Sequence, residues 1–156
     1  MTKTYSFSFR MNKSKEKKYE FSLSPTVEHT SSISSIQQAI NTKYWTFNLR
    51  ADGDVFLPLK FQVHTDCEFN FRQKTSVFDV NNNTIFWNAW FGKKFFKKEN
   101  LLLKIQANDI LNQNIGFNRV VNSNYISQNT YTTIQRYLML SLVWNFAKAG
   151  SAQPKP

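Results

Sequence analysis

A chain of 156 residues with a net charge of +10 is long enough for one domain with a sizeable core. Its 15 phenylalanines, beside only 4 glycines and 4 prolines, favour strands over helices, because aromatic side chains suit a pleated surface. A single cysteine excludes an internal disulfide framework, and the lack of an apolar run of about 18 residues excludes a transmembrane helix.

Alternation of apolar and polar residues begins near the N-terminus and recurs twice before residue 53. The apolar positions of these first three predicted strands are Tyr5, Phe7, Phe9 and Met11; Tyr19, Phe21 and Leu23; and Trp45, Phe47, Leu49 and Ala51. Polar residues such as Ser6, Glu20 and Asn48 stand between them. A period of two places the two kinds of residue on opposite faces of a strand, whereas a helix would scatter both.

The clearest alternation begins at Phe61 and continues for twelve residues. Its odd positions are Phe61, Val63, Thr65, Cys67, Phe69 and Phe71, and its even positions are Gln62, His64, Asp66, Glu68, Asn70 and Arg72. One face of this predicted strand is therefore mainly apolar and the other polar and charged.

Three further strands are predicted after residue 83. Their apolar positions are Trp87, Ala89 and Phe91, with Trp90 on the other face; Leu101, Leu103, Ile105 and Ala107; and Leu138, Leu140, Leu142, Trp144 and Phe146. The sequence thus contains about seven alternating segments of about 8–12 residues, near the 9–11 that a tilted strand needs to span a membrane.

Short and long connections alternate between these segments. The short connections are 12–18, 56–60 and 97–100, and the long ones are 30–43, 76–84 and 110–135. Outer-membrane barrels have short periplasmic turns and longer extracellular loops, which is the same arrangement. The pattern predicts an all-β fold: an antiparallel meander of about seven strands that forms part of a transmembrane β-barrel.

An apolar face in every predicted strand needs a partner layer, since burying each large side chain contributes about 1.5–3 kcal/mol. The sequence predicts no amphipathic helix or second set of strands to supply it, so lipid is the simplest partner. In the strand from Phe61 we therefore expect odd-numbered residues to face lipid and even-numbered ones a lumen. Pro25 does not fit the second strand, and we expect a bulge there or a strand that has already left the membrane.

Three side chains on one strand, His64, Asp66 and Glu68, could in principle ligate a metal. Alternate residues of a strand lie about 6.6 Å apart, so we favour an ordinary polar lumen and expect no metal or other cofactor. Cys67 is interpreted as a small lipid-facing residue, because no histidine is placed to activate it. The sequence contains no triad, phosphate loop or paired carboxylates, so we expect no enzymatic activity.

Two clusters of lysines coincide with predicted short turns. They comprise Lys13, Lys15, Lys17 and Lys18, and Lys93, Lys94, Lys97 and Lys98. Nucleic acid could bind there, with Phe95 and Phe96 as stacking platforms. We favour membrane anchoring, in which lysines reach lipid head groups beside an aromatic girdle, and we expect no nucleic-acid partner.

The end of the chain resembles the C-terminal end of TonB-dependent receptors, in the branch known as the outer-membrane β-barrel family. The matching stretches are Asn88-Ala89, Lys94-Phe95, Leu101–Ile105, Asn108–Asn114, Arg119, Asn124–Ile126 and Arg136–Phe146. The resemblance is best over 84–146 and weaker before it.

This resemblance implies a Gram-negative outer-membrane transporter whose barrel has about 22 strands and is closed by an N-terminal plug domain. Residues 1–146 would then be the C-terminal segment of that barrel, a fragment of it. The sequence of residues 147–156, AKAGSAQPKP, itself predicts a disordered tail. The implied partners are outer-membrane lipid, the missing barrel strands and plug domain, an energy-coupling protein of the inner membrane, and the barrel-assembly machinery. That machinery would read the last strand, represented by Tyr137, Leu138, Leu140, Leu142, Trp144 and the closing Phe146. The N-terminus shows no signal peptide, so we expect the export signal upstream.

The longest connection, 110–135, is the best candidate for ligand contact, since binding residues often lie on loops of a rigid scaffold. It carries Phe117, Arg119, Tyr125 and Tyr131, although plain solvent exposure explains them equally well. Two alternatives to a transporter stay open. One is a soluble basic β-domain that binds nucleic acid or acidic polysaccharide, and the other is a non-transporting barrel with an adhesive or structural role.

Overall fold

The computed structural model describes residues 1–33, 41–75, 83–121 and 125–146 of an all-β chain. Within this part the strands are β1 (Thr2–Ser8), β2 (Met11–Lys15), β3 (Tyr19–Ser32), β4 (Thr42–Phe56), β5 (Phe61–Arg72), β6 (Thr84–Phe95), β7 (Leu101–Asn108), β8 (Gly116–Val121), β9 (Ile126–Tyr131) and β10 (Tyr137–Trp144). One turn of 3-10 helix, Pro58–Lys60, precedes β5. No helix in the described ranges is long and apolar enough to cross a membrane. The predicted tail, 147–156, lies outside the described residues.

Eight of these strands form one antiparallel sheet in the order β1, β3, β4, β5, β6, β7, β10, with β2 also on β3. The remaining two, β8 and β9, pair only with each other. The predicted antiparallel meander is therefore confirmed. The sequence predicted about seven strands because it read β1 and β2, which occupy the same side of β3, as one segment.

Pro25 explains the break between β1 and β2. Both strands keep one register on β3, with equal numbers of residues on the two sides, so the predicted bulge is wrong. The carbonyl of Pro25 accepts a hydrogen bond from the backbone N–H of Phe9 at 3.3 Å. In an antiparallel sheet the N–H and the C=O of one residue point to the same neighbouring strand. The missing N–H of Pro25 therefore weakens only the hydrogen-bond ladder between β3 and the side that carries β1 and β2. On its other side Pro25 keeps its place opposite Leu49 of β4.

The register brings most of the apolar residues of the eight-stranded sheet to one face, here called the apolar face. One of its rows runs across five strands through Val55, Val63, Phe91, Ile105 and Leu140. The neighbouring row belongs to the other face, here called the polar face, and runs through Asp54, His64, Trp90, Gln106 and Met139. The alternation read along single strands thus continues from strand to strand.

No part of the described chain covers the apolar face. Among the described residues there is no buried hydrophobic side chain. Large apolar residues are instead open to the surroundings, with Phe7 69%, Ile105 58% and Leu140 69% exposed. A water-soluble domain of this size would bury such side chains in a core, so this face requires an apolar medium.

The connections sort to two ends of the sheet. Tight turns of three to five residues join β2 to β3, β4 to β5 and β6 to β7, and they define the short-turn end. Left-handed backbone conformations in these turns occur at Lys17, Leu59, Lys60, Phe96 and Glu99. The connections at the opposite, long-loop end are longer, as predicted.

β3 and β4 have 14 and 15 residues, longer than predicted for a membrane-spanning strand.

Candidate functional site

The centre of the polar face is a hydrogen-bonded network around His64. Its Nδ1 lies 3.1 Å from Oδ2 of Asp54, and its Nε2 lies 3.6 Å from Oδ1 of Asp66. Asp54 also accepts a hydrogen bond from Nε2 of Gln62 at 2.8 Å. Asp66 lies two residues from His64 on β5, and the register of β4 against β5 brings Asp54 to the same histidine. The arrangement fixes the imidazole in a half-buried position on the sheet.

The network continues toward the long-loop end through Asn88 of β6. Its Nδ2 donates to Oδ2 of Asp66 at 2.7 Å, and its Oδ1 accepts from the backbone N–H of Asp109 at 2.9 Å. Asn88 therefore links the histidine network to the first residue after β7. In the sequence Asn88 is recognisable only as part of the matching dipeptide Asn88-Ala89, since its role depends on cross-strand register.

Trp90 and Lys104 form a second layer beside His64. The indole of Trp90 stacks on the imidazole with ring centroids 5.5 Å apart, and Nζ of Lys104 lies 5.1 Å from the centroid of that indole. The structure therefore places Trp90 on the polar face, as predicted. A cation over an aromatic face is attracted by the quadrupole of the ring, so the three side chains stabilise one another.

The three predicted metal-ligand candidates do not converge on one point. His64 and Asp66 are neighbours, whereas Glu68 accepts from Nδ2 of Asn70 at 3.2 Å and lies 3.9 Å from the guanidinium of Arg50. In the described part of the chain no group of three His, Cys, Asp or Glu side chains is arranged to hold a metal ion. The polar face carries charges of both signs, a composition suited to water or to a polar protein surface.

The predicted ligand loop contains a feature that sequence analysis missed, the β8–β9 hairpin. Both strands have only six residues and alternate poorly, so periodicity did not reveal them. The run Asn122-Ser123-Asn124 between them was an available turn signal. Of the predicted contact residues, Tyr125 and Tyr131 are 53% and 59% exposed. The side chains of Phe117 and Arg119 lie outside what the structure describes.

The base of this hairpin is fixed by polar side chains of the run after β7. The carboxylate of Asp109, itself buried, accepts from the backbone N–H groups of Gln113 at 2.8 Å and Asn114 at 3.0 Å. Nδ2 of Asn114 donates to the carbonyl of Ile134 at 3.0 Å, and Oδ1 of Asn112 accepts from the backbone N–H of Arg136 at 3.2 Å. These contacts, here called the hairpin collar, join the two ends of the long connection to the sheet.

The lysines of the short-turn end divide between the two faces. Lys93 belongs to the apolar face, and its Nζ lies 4.7 Å and 5.6 Å from the ring centroids of Phe61 and Phe95. Lys94 belongs to the polar face and lies 3.8 Å from the carboxylate of Glu99. A lysine over phenylalanine rings on a lipid-exposed face is typical of a membrane girdle.

The last strand, β10, forms one edge of the sheet. It pairs with β7 from Tyr137 to Trp144, and its other side has no partner strand among the described residues. Its apolar-face residues Leu138, Leu140 and Leu142 are exposed. Beyond the strand, Phe146 stacks on Trp144 with ring centroids 4.8 Å apart. This aromatic pair lies at the short-turn end of the sheet.

Comparison with known proteins agrees with this geometry. The model of a family described as "Outer membrane protein beta-barrel family" matches residues 1–144, nearly the whole described chain. No curated protein and no solved structure gives a significant match.

Proposed function

Since the chain belongs to the outer membrane protein beta-barrel family, we propose that it forms the C-terminal barrel segment of a TonB-dependent receptor. Membership in the family places the protein in the outer membrane. The transport function goes further and rests on the sequence resemblance in β6, β7, the hairpin collar and β10. The proposed activity is import of a ligand through the full-length protein, with no catalytic step in this segment.

The observation that carries the proposal is the open edge on each side of the sheet. In the described chain, β10 is bordered only by β7, and β1 and β2 are bordered only by β3. Within lipid each unpaired backbone group costs several kcal/mol, so open edges are not stable there. Further strands that pair with both edges would complete a wide barrel, as the resemblance implies.

The polar face supports the proposal that a protein domain fills the lumen of the barrel. Its charged side chains are ordered by mutual contacts, as in the pair Arg50 and Glu68 and the network around His64. A wall of this kind offers donors and acceptors to a plug domain or to water. The plug domain and the energy-coupling protein remain proposals that follow from the receptor interpretation.

The β8–β9 hairpin is the proposed ligand contact of this segment. It lies at the long-loop end, which we assign to the cell exterior because the opposite end carries the short turns. The hairpin collar holds it to the sheet, so Tyr125 and Tyr131 would be presented on a fixed support. Phe117 and Arg119 belong to the same proposal through their positions in β8.

The exposed outer side of β10 supports recognition by the barrel-assembly machinery. An unpaired strand edge is a template for pairing with another strand. In this proposal the machinery binds β10 and its closing pair, Trp144 and Phe146, before the remaining strands complete the barrel.

Conductance of the full-length protein, purified from outer membranes and placed in planar bilayers with KCl as the probe, tests the proposal. A barrel closed by a plug should pass little current until denaturant displaces the plug. The matched control is a variant without the domain that precedes the barrel, which should conduct at once. Steady conductance of the intact protein without denaturant would contradict the receptor interpretation and favour a non-transporting pore.

A further inference from the structure

The apolar face contains a groove, and exposure to lipid alone does not explain why a sheet should have one. Its floor consists of Ala51 and Gly53 of β4 and of Thr65 and Cys67 of β5. Met11, Phe21 and Leu23 of β2 and β3 line one side, and its volume is about 340 Å³. The lining is mainly apolar. We propose that this groove binds an anionic phospholipid, with an acyl chain in the groove and the phosphate at Lys13 and Lys15.

The groove exists because small residues coincide in two neighbouring rows. Ala51 pairs with Cys67, and Gly53 pairs with Thr65. The ring of Phe21 leans over Gly53, where a Cβ atom would come within 2.6 Å of it. A tall side wall beside a floor with almost no side chains leaves a trough that an extended hydrocarbon chain can fill. Dispersion contacts along such a chain are individually weak but add together.

Polar groups of the floor are already satisfied, so the groove has no need of water. The hydroxyl of Thr65 accepts from Nε1 of Trp87 at 2.8 Å and donates to the carbonyl of Asn88 at 3.2 Å. Trp87 belongs to the same row as Cys67 and is the large residue on the β6 side of the floor. An apolar trough whose threonine hydroxyl is already hydrogen-bonded fits an alkyl chain better than a peptide, whose backbone groups would lack partners.

Two lysines stand on the same face between the groove and the short-turn end. Lys13 lines the groove and pairs with Phe21, and Lys15 lies one row nearer the turn, opposite Tyr19. Within the described ranges no ion pair involves either lysine. Asp52 of β4 also borders the groove, but Asp52 and Glu20 alternate with the apolar-face residues and so belong to the polar face. Two unpaired cations at the end of an apolar groove complement a phosphate head group.

A second copy of the chain is a poorer occupant of the same groove. A two-fold interface sets a patch against itself, so the lysines of one copy would approach those of the other. Like charges brought together in lipid are unfavourable, whereas a phosphate neutralises both lysines. The inference rests on the outer-membrane location and not on the transport activity, so either can fail without the other.

Photocrosslinking of the full-length protein in vesicles tests the inference. The probe is phosphatidylglycerol with a diazirine on its acyl chain, diluted into phosphatidylcholine vesicles, and a diazirine phosphatidylcholine is the neutral comparison. We expect adducts concentrated on peptides that contain Ala51 to Gly53 and Thr65 to Cys67. The anionic probe should label them roughly five-fold more than the neutral one for each lysine engaged.

Variants separate the groove from the lysines. The double change Lys13→Glu and Lys15→Glu should reduce labelling by the anionic probe to that of the neutral probe. The matched control, Lys97→Glu with Lys98→Glu, makes the same charge change in the turn between β6 and β7 and should leave labelling unchanged. Ala51→Phe fills the groove and should abolish labelling by both probes. Thermal melts of each variant verify that the barrel is folded.

Several outcomes would overturn the inference. Equal labelling of the groove and of β10, for example at Leu140, would mean that lipid binds the whole face without a site. Crosslinks between two copies through Cys67 would identify the groove as a protein interface. Unchanged labelling in a folded variant with both lysines replaced would remove the phosphate contact from the proposal.

Discussion

The indole Nε1 of Trp87 donates a hydrogen bond to the hydroxyl of Thr65 at 2.8 Å, between β6 and β5 on the apolar face. An indole N–H that faces hydrocarbon cannot bond to water, so it needs a partner within the protein. Thr65 supplies that partner, and its hydroxyl donates a hydrogen bond to the carbonyl of Asn88 at 3.2 Å. These hydrogen bonds explain why a threonine lies among the apolar-face residues of β5.

Replacement of this hydroxyl should destabilise the barrel. Thr65→Val keeps the size of the side chain but leaves the Trp87 N–H unpaired, which should lower the free energy of unfolding by about 1–3 kcal/mol. Once Trp87→Phe has removed the donor, the further change Thr65→Val should cost much less. Urea unfolding in lipid vesicles measures both steps of this double-mutant cycle. Additive effects of the two changes would show that the hydrogen bond contributes nothing.

The two faces of the sheet should differ in their tolerance of charge. Leu49→Arg places a cation on the apolar face near the middle of β4, between Pro25 and Phe69, and should cost about 2–4 kcal/mol in a membrane. The matched change Asn48→Arg lies one residue away on the polar face and should cost far less. Unfolding titrations of the two variants in vesicles give the comparison. Equal losses would reject the assignment of the faces.

The faces were predictable because they depend on local pattern alone. A strict period of two in the strand from Phe61 to Arg72 determines which side chains share a face, whatever the neighbouring strands do. The register of β5 against β4 then had little freedom. A slip by one residue would place an apolar residue beside a polar one, either Phe69 beside Asn48 or Asn70 beside Leu49. Alternating turn and loop lengths supplied the antiparallel order.

The contacts that cross strands were not predictable. The sequence shows His64 and Asp66 two residues apart, but only the register of β4 against β5 brings Asp54 to the same imidazole. The effect of Pro25 likewise depends on which neighbour its missing N–H faces. The ligand-contact residues of the hairpin remain predictions, and with them the assignment of the two ends to cell exterior and periplasm.

Thiol labelling of intact cells tests the assignment of the two ends. In a Cys67→Ser background, Tyr125→Cys places a thiol on the β8–β9 hairpin and Leu59→Cys places one in a short turn. Both positions are exposed, at 53% and 79%, so accessibility within the protein does not limit either reaction. A membrane-impermeant maleimide should label the Tyr125 variant on intact cells and the Leu59 variant only after permeabilisation. The reverse result would invert the topology.

Asp109 should control the order of the hairpin without controlling the stability of the main sheet. Its carboxylate accepts from the backbone N–H groups of Gln113 and Asn114, and its own backbone adopts a left-handed conformation with φ 49°. Asp109→Ala removes both acceptors and introduces a residue that disfavours this conformation. Asp109→Asn is the milder change, because asparagine tolerates the backbone angle and keeps one acceptor oxygen.

Limited digestion of the purified full-length protein with trypsin provides the measurement, because the bond after Arg119 lies within the hairpin. Loss of the collar contacts should loosen the hairpin, so cleavage there should be fastest in Asp109→Ala, intermediate in Asp109→Asn and slowest in the unchanged protein. The melting temperature of the barrel should change little, since β7 and β10 keep their ladder from Asn108 to Leu101. Equal cleavage rates in all three proteins would show that the hairpin does not depend on Asp109. A large fall in melting temperature would instead make Asp109 part of the barrel's own stability.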